Sequence, residues 1–449
     1  MMDTIIREVQ IASDHGWRKM DIGIEHGLIV ELSESLLGGA KHELVGEGAY
    51  CLPGGVDLHV HFNEPGRTHW EGFETGSAAA VAAGVTYLAE MPLNSIPSTV
   101  DVAALETKLA AVAHKSFVDF GLWGGVVPGN VDDLIPLAEA GVMGFKAFMS
   151  PSGTDDFTNS DAATLRAAMR QIAQTGLRLA FHAEDPAVLR AAEQRLHQRV
   201  SAYDWEASRP VAAEISAVQL AIDLAGETGC PIMIVHVSSP EVLAVIATAR
   251  AQGVDIICET CPHYLLLSTD DAEAIGSDAK CAPPLRSPQT VAGLRAALLD
   301  GQIDTLGSDH SPSSPELKQG KAFYDAWGGI AGIQHGWPLV LNHFGLAEPI
   351  ILQRLLAVGC ENPAKIMGLK QKGALRVGMD ADFSLIRQQQ APARIEAASL
   401  LTRHARSAYV GTATHLLWES TWLRGQCVVK GGVRQSAPAG KFMPGSCSI

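Results

Sequence analysis

Two histidines separated by a single residue form the first group in the chain that could do chemistry. His59 and His61 lie near the end of an apolar run at residues 55–62. On an extended strand, side chains two positions apart project to the same face, so the two imidazoles would converge. Neutral imidazole nitrogens are good ligands for zinc-like cations. The pair therefore indicates either part of a metal site or two hydrogen-bonded histidines in a core.

Four further groups that could take part in a metal site occur at or near the ends of later apolar runs. They are Lys146 in GFKAF, His182 in AFHAE, His236 in IVHVSS and Asp309 in LGSDHSP. A lysine within an apolar strand is costly as a buried ammonium, unless a carboxylate pairs with it or it loses its charge. A neutral amine reacts with carbon dioxide to give a carbamate, an anionic ligand that can bridge two metal ions. Lys146 is therefore either an ion-paired lysine or such a bridge.

The elements that must position these groups are short strands that alternate with helices. From residue 53 onward, β-branched apolar runs alternate with Ala- and Leu-rich stretches, which is typical of β-α units around a parallel sheet. The predicted strands span residues 55–62, 85–91, 119–126, 142–149, 177–183, 232–237, 255–261 and 303–308. The predicted helices include residues 75–83, 102–113, 161–175, 211–227 and 241–252. Eight units over about 250 residues predict a closed (β/α)8 barrel.

A barrel would bring the candidate groups to one face, because barrel enzymes carry their active sites at the carboxyl ends of the strands. Six such groups on five strands are hard to explain by packing, so the metal site is favoured over a set of core residues. Two insertions, at residues 185–210 and 265–288, follow the fifth and seventh strands at the same face. We expect both insertions to build walls of the substrate site.

Both ends of the chain have β character outside the predicted barrel. Residues 19–25 alternate polar and apolar side chains, and residues 380–386 and 421–429 also favour strands. We predict an α/β protein in which residues 53–372 form the barrel. Residues 1–52 and 373–449 would be the two parts of a small β-sandwich beside it.

The composition limits the classes of partner. The 449 residues carry a formal net charge of −15 at pH 7, which argues against binding to nucleic acid or to an anionic membrane. The N-terminus lacks the basic-then-apolar pattern of an export signal, and the eight cysteines lie far apart. We therefore expect a cytoplasmic protein with reduced thiols. Cys258 and Cys261 form a lone Cys-x-x-Cys pair in an apolar setting, where buried free thiols are favoured over a zinc site.

The motifs of the chain resemble those of the cyclic amidohydrolases, a family of the urease-related superfamily. They are DLHVHFNEPGR at residues 57–67, WEGFETG at 70–76, EMPLNS at 90–95, GFK at 144–146, HVSS at 236–239, ETCPHY at 259–264 and SDHSP at 308–312. Motifs spread over the whole barrel are far more specific than a single His-x-His. The resemblance implies a hydrolase that acts on a small cyclic ureide and assembles as a homo-oligomer, a tetramer in this family.

The resemblance also implies two divalent metal ions, most often zinc, bridged by carboxylated Lys146. It assigns His59, His61 and Asp309 to one ion, and His182 and His236 to the other. Two such cations would lower the pKa of a water molecule and polarise the carbonyl of the substrate ring. Asp309 would accept the proton of that water and deliver it to the leaving ring nitrogen.

Among the branches of the family, the motifs are most similar to those of the allantoinases, which open allantoin to allantoate. Dihydroorotases usually have an arginine in place of Asn63, because a guanidinium pairs with the carboxylate of their substrate. Allantoin carries a ureido group instead, which the amide of Asn63 could meet by hydrogen bonds. Asn94 and Ser311 are further candidate substrate contacts, although Asn94 could equally cap a turn. The alternatives are a dihydroorotase, a hydantoinase or dihydropyrimidinase, and a non-catalytic scaffold of the same fold.

Overall fold

The computed structural model describes residues 1–447, and eighteen strands lie within that range. In chain order they are β1 Met2–Ser13, β2 Gly16–Glu25, β3 Leu28–Ser33, β4 Ala40–Val45, β5 Tyr50–Pro53, β6 Gly55–Val60, β7 Val85–Glu90, β8 Asp119–Leu122, β9 Gly124–Val126, β10 Phe145–Phe148, β11 Leu179–His182, β12 Ile232–Ile234, β13 Ile256–Thr260, β14 Thr305–Leu306, β15 Phe383–Arg394, β16 Ala413–Leu423, β17 Gln426–Lys430 and β18 Val433–Arg434.

Helices alternate with the central strands, as the sequence predicts. They are α1 Phe73–Ala82, α2 Val102–Val112, α3 Leu134–Glu139, α4 Ala162–Thr175, α5 Pro186–Glu193, α6 Ala202–Ser208, α7 Val211–Thr228, α8 Pro240–Ala251, α9 Pro262–Leu266, α10 Thr269–Ile275, α11 Pro288–Leu299, α12 Gly336–Phe344, α13 Pro349–Leu356 and α14 Asn362–Ile366. Local signals set their ends: the Asp161 side chain caps α4 by accepting the Thr164 N–H, and Gly176 ends it at a φ of 72°. Within residues 1–447, none of the helices is long and apolar enough to span a membrane.

The parallel strands close into a barrel. Strands β6, β7 and β8 form one sheet, and β9 to β14 form another in sequence order. The backbone N–H groups of Met143 and Gly124 donate to Leu122 and Gly144, which joins the two sheets at the third strand. On the other side, Val60 bridges His310, and the His61 N–H donates to the His310 carbonyl at 2.7 Å. The α/β barrel fold predicted from the sequence is confirmed.

The third predicted strand differs from its prediction. Residues 119–126 form two short strands, β8 and β9, on either side of Trp123. The fully buried indole of Trp123 donates its Nε1–H to the Leu58 carbonyl at 2.9 Å. Several other strands are also shorter than their apolar runs, because burial extends past the residues that pair: Val142 is completely buried but lies before β10.

The two ends of the chain pair in one nine-stranded sheet. Its order is β18-β17-β16-β15-β5-β1-β2-β3, with β4 added on β1. The link between the ends is the antiparallel pair β5–β15, in which Pro53 faces Phe383. Buried apolar side chains of both ends, among them Ile6, Ile22 and Phe383, form a core of their own. The prediction that both ends share one β element is therefore confirmed, while the domain limits at residues 52 and 372 stay predictions.

Candidate metal centre

Three donor atoms converge at the carboxyl end of the barrel. His59 lies on β6, His61 follows that strand, and Asp309 follows β14. Asp309 Oδ1 lies 3.3 Å from His59 Nε2 and 3.4 Å from His61 Nε2, and all three side chains are buried. Metal–ligand bonds of about 2.0–2.1 Å give a tetrahedral set of ligands an edge of about 3.3 Å. The spacing therefore fits three ligands of one small cation.

A second pair of imidazoles lies beside these three groups. His182 ends β11 and His236 follows β12. The distance from His182 Nδ1 to His236 Nε2 is 3.0 Å. The ring of His236 is 5.5 Å from that of His59, measured between centroids. Glu184 binds the other nitrogen of His182, Nε2, at 2.7 Å. If that nitrogen carries the proton, His182 Nδ1 presents a lone pair towards His236, which suits a second cation.

The chain turns sharply where two of these candidate ligands lie. His236 and Asp309 both have a φ of 43°, in the left-handed region that side chains other than glycine rarely adopt. Such a conformation costs about 1–3 kcal/mol and persists only where the surroundings enforce it. It ends each strand and leaves the side chain against the neighbouring imidazoles.

Lys146 is completely buried on β10, and its Nζ has no hydrogen-bond partner among residues 1–447. Burial lowers the pKa of Lys146 to about 8, although the carboxylates of Asp309 and Glu259 favour the ammonium. About a tenth of the amine is therefore neutral at pH 7, far more than for an exposed lysine. The unpartnered nitrogen among the candidate ligands fits a lysine that is converted to an anionic ligand better than one that is ion-paired.

The candidate ligands have the protonation states that metal binding needs. Burial lowers the pKa of His59 to about 3 and that of His61 to about 4, so both imidazoles are neutral at pH 7. Burial also lowers the pKa values of His182 and His236. For Asp309, burial alone would raise the pKa, but the nearby imidazoles hold it below its usual range. The site thus offers four neutral imidazoles and one carboxylate.

Glu259 is a site residue to which the sequence analysis gave no role. Its Oε1 lies 2.6 Å from His59 Nδ1, and both side chains are buried. Gly307 makes room for it, because a Cβ at residue 307 would lie 2.4 Å from Glu259 Oε2. Burial raises the pKa of Glu259 to about 8, so an ionised carboxylate here requires positive charge close by. A cation on His59 would supply that charge, and Glu259 would fix the ring with Nε2 towards it.

Glu184 plays the same part for His182, and it also holds Arg209. The Arg209 Nε–H donates to Glu184 Oε1 at 2.9 Å, and a second guanidinium nitrogen reaches Oε2. Arg209 follows α6 in the first predicted insertion, so Glu184 connects this insertion to the candidate ligand His182. The position of Glu184, two residues after His182, was the only sequence signal for this contact.

A cavity of about 410 Å³ opens over the candidate ligands, a size that suits a small molecule. Both predicted insertions contribute to its walls, the first through Trp205 and Arg209 and the second through residues 280–282. Further parts of the wall come from residues 317–329, after the eighth strand, and from residues 93–94 and 151–153. All six predicted metal-site residues line the cavity: His59, His61, Lys146, His182, His236 and Asp309.

Two of the three predicted substrate contacts lie at the cavity and the third does not. Asn94 and Ser311 line the cavity, and Asn94 is held by Arg67, which donates to its carbonyl at 2.9 Å and pairs with Asp156. Asn63 is fully buried but is not among the residues that line the cavity. Its Nδ2 donates to the Pro312 carbonyl at 3.3 Å, behind the wall.

A (β/α)8 barrel with histidines and a carboxylate gathered at the carboxyl ends of its strands has the architecture of a metal-dependent hydrolase. The profile of the amidohydrolase family matches residues 50–422, and the chain belongs to this family. The allantoinase of Rubrobacter xylanophilus is 43% identical over 430 residues, covering 95% of this chain and 94% of that protein. The allantoinase of Deinococcus radiodurans is 40% identical, covering 98% of both. Among solved structures, L-hydantoinase (dihydropyrimidinase) from Arthrobacter aurescens matches 99% of this chain and 100% of that chain at 32% identity, with a TM-score of 0.94.

Proposed function

We propose that the protein hydrolyses the cyclic amide bond of allantoin to give allantoate. The choice of allantoin as substrate rests on the similarity over nearly the whole chain to several allantoinases, at 37–43% identity. The cavity over the buried ligand set supports the chemistry, since hydrolysis of an unactivated ring amide needs both an activated water and a stabilised oxyanion.

The ligand set supports two divalent cations, for which nitrogen-rich coordination favours zinc. His59, His61 and Asp309 would hold one ion, His182 and His236 the other, and carboxylated Lys146 would lie between them. When bound, the two ions supply the positive charge that acidifies a water molecule and polarises the ring carbonyl.

The side chains of the protein orient the groups and move the proton. Glu259 and Glu184 hold His59 and His182 by their outer ring nitrogens, so that the inner nitrogens face the centre. Asp309 Oδ1 lies at that centre, and its lowered pKa keeps it ionised and able to accept a proton from the attacking water. The same carboxyl group then returns the proton to the leaving ring nitrogen.

The cavity wall supports recognition of a neutral, flat ureide. Asn94 and Ser311 line the cavity and could meet the ring and its ureido group by hydrogen bonds. Two cations in the wall are already engaged, since Arg209 binds Glu184 and Lys280 donates to two backbone carbonyls, whereas Lys321 is exposed. A substrate carboxylate, as in dihydroorotate, would have to compete for them. Asn63 would act on Ser311 through Pro312 and not on the substrate itself.

A second candidate substrate is a 5-substituted hydantoin, favoured by the likeness to L-hydantoinase over the whole chain. Allantoin is itself a hydantoin with a ureido group at C5, so both would place the same ring over the ligand set. The two proposals differ only in what the outer part of the cavity accepts.

The test is a substrate panel combined with metal analysis. We expect the purified protein to hold about two metal ions per chain and to open allantoin with a kcat/KM at least about tenfold above that for hydantoin or dihydroorotate. A preference for hydantoin would change the assignment to a hydantoinase. A preference for dihydroorotate would refute the proposed hydrolysis of allantoin. Light scattering of the same preparation would test whether the protein is a tetramer, and fractionation of cells whether it is cytoplasmic.

A further inference from the structure

One wall of the cavity is built by a stretch that has no regular structure of its own. Residues 318–329, all of them described, form neither helix nor strand, and most residues of 317–329 line the cavity. We refer to residues 317–329 as the cover segment. Because no sheet or helix hydrogen bonds hold it, its position depends on contacts from elsewhere in the chain.

Most of these contacts are made with the second insertion, and the Tyr324 N–H also donates to the Val200 carbonyl of the first insertion at 3.2 Å. The Gly329 N–H donates to the Lys280 carbonyl at 2.7 Å, and Lys318 Nζ donates to the Ser277 carbonyl at 2.8 Å. Lys280 Nζ donates to the carbonyls of Tyr324 and Ala326, the second at 2.7 Å. Residues 277–280 thus hold the cover segment near its beginning, in its middle and at its end.

Lys280 also reaches the first insertion. Its ammonium lies 3.9 Å from the ring centroid of Trp205, and the Trp205 Nε1–H donates to the Cys281 carbonyl at 2.8 Å. The lysine is only 3% exposed, so all these contacts are made away from water. A single side chain therefore joins three of the stretches that wall the cavity: the first insertion, the second insertion and the cover segment.

The tether does not depend on the charge of the lysine. Burial, with the nearby charges of Lys318 and Arg209, lowers the pKa of Lys280 to about 7. A neutral amine still carries two N–H donors, which match the two carbonyls that accept from it. An apolar side chain of similar length would fill the space but leave both carbonyls unpaired.

We propose that Lys280 is a positioning residue that fixes the cover segment and so sets the width of the cavity. The inference depends on the proposed function only because allantoin is the substrate of the kinetic test. It predicts that the contact selects a small, flat ureide over rings with bulky C5 substituents. Lys280 acts through the backbone of the cover segment and not on the reacting atoms.

The first test is structural and needs no substrate. Lys321, in the cover segment, is exposed and offers a trypsin site. We expect Lys280→Met to be cut after Lys321 about tenfold faster than the parent protein, since about tenfold corresponds to the loss of one net hydrogen bond. Lys280→Arg, which keeps several donors, should recover most of the protection, and Lys280→Gln serves if the Met variant does not fold. Lys370→Met, which removes an exposed lysine outside the cavity, should leave cleavage after Lys321 unchanged.

The second test is kinetic. For Lys280→Met we expect the KM for allantoin to rise about tenfold with kcat within about twofold, and the kcat/KM ratio of a 5-benzyl hydantoin to allantoin to rise. Unchanged cleavage in Lys280→Met, or equal acceleration in Lys370→Met, would overturn the proposal. A parent protein that leaves allantoin intact would overturn the proposed function, whereas the cleavage result would still decide the role of Lys280.

Discussion

Replacing Glu259 by glutamine gives the sharpest test of the metal centre. Glutamine has nearly the same size, so the side chain still fits against Gly307. It can also still accept a hydrogen bond from the His59 Nδ1–H, which lies 2.6 Å from Oε1 in the parent protein. Only the negative charge is lost. Because Glu259 does not line the cavity, its effect must pass through its hydrogen bond to His59 and through its charge near Lys146.

The expected magnitude follows from that single hydrogen bond. A hydrogen bond to a charged group contributes about 1.5–3 kcal/mol, against about 0.5–1.5 kcal/mol for a neutral one. The difference of about 1–2 kcal/mol corresponds to a loss of about 5- to 30-fold in affinity for the ion held by His59, His61 and Asp309. The ion on His182 and His236 should be nearly unaffected, so one of two dissociation constants should change.

The affinities are measured by competition with a chromophoric chelator, with the ions per chain counted by atomic emission. Glu184→Gln is the matched variant for the other ion, and it should weaken the His182 site instead. Glu241→Gln removes an exposed carboxylate in the first turn of α8 and should change neither constant. Equal metal affinities in Glu259→Gln and the parent protein would refute the role given to Glu259.

Four further substitutions test other parts of the structure. Lys146→Ala should lose most of its metal and regain part of it with short carboxylic acids, measured by atomic emission; full metal content would contradict the carbamate bridge. Asn94→Ala should raise the KM for allantoin about tenfold by removing a substrate hydrogen bond. Asn63→Ala should raise it less in the same steady-state assay. The reverse order would contradict the assignment of Asn94, and not Asn63, to the wall of the cavity. Lys372→Met should lower the free energy of unfolding by about 3–5 kcal/mol in a urea titration, because three buried carboxylates lose their shared ammonium; an unchanged midpoint would count against that cluster.

The barrel and the ligand candidates could be predicted from the sequence because both depend on local periodicity. Apolar runs indicate strands. The carboxyl ends of parallel strands lie at the same end of the barrel, independently of the helices that connect them. His59, His182 and Asp309 were therefore placed together before any contact was known. The break at Trp123 was not predictable, since an indole that enters the barrel looks the same in sequence as any other apolar residue.

The contacts that depend on distant partners were missed or misplaced. Glu259 lies two hundred positions from His59, and nothing local shows that it faces an imidazole. Asn63 was expected to contact the substrate, but β6 ends at Val60 and Asn63 has a φ of 64°. The alternation of side chains stops where the strand stops, so its amide reaches Pro312 instead.

The pairing of the two chain ends sets the order in which the protein can be completed during synthesis. Strand β5 pairs with β15 only after roughly 330 more residues have left the ribosome, which takes roughly 15–70 s at 5–20 residues per second. Throughout that time β1 to β5 present an open sheet edge, the kind of surface on which chains aggregate. The barrel can close first, since its strands pair with one another. A chain released after the barrel would keep all the candidate ligands and yet leave that edge open permanently.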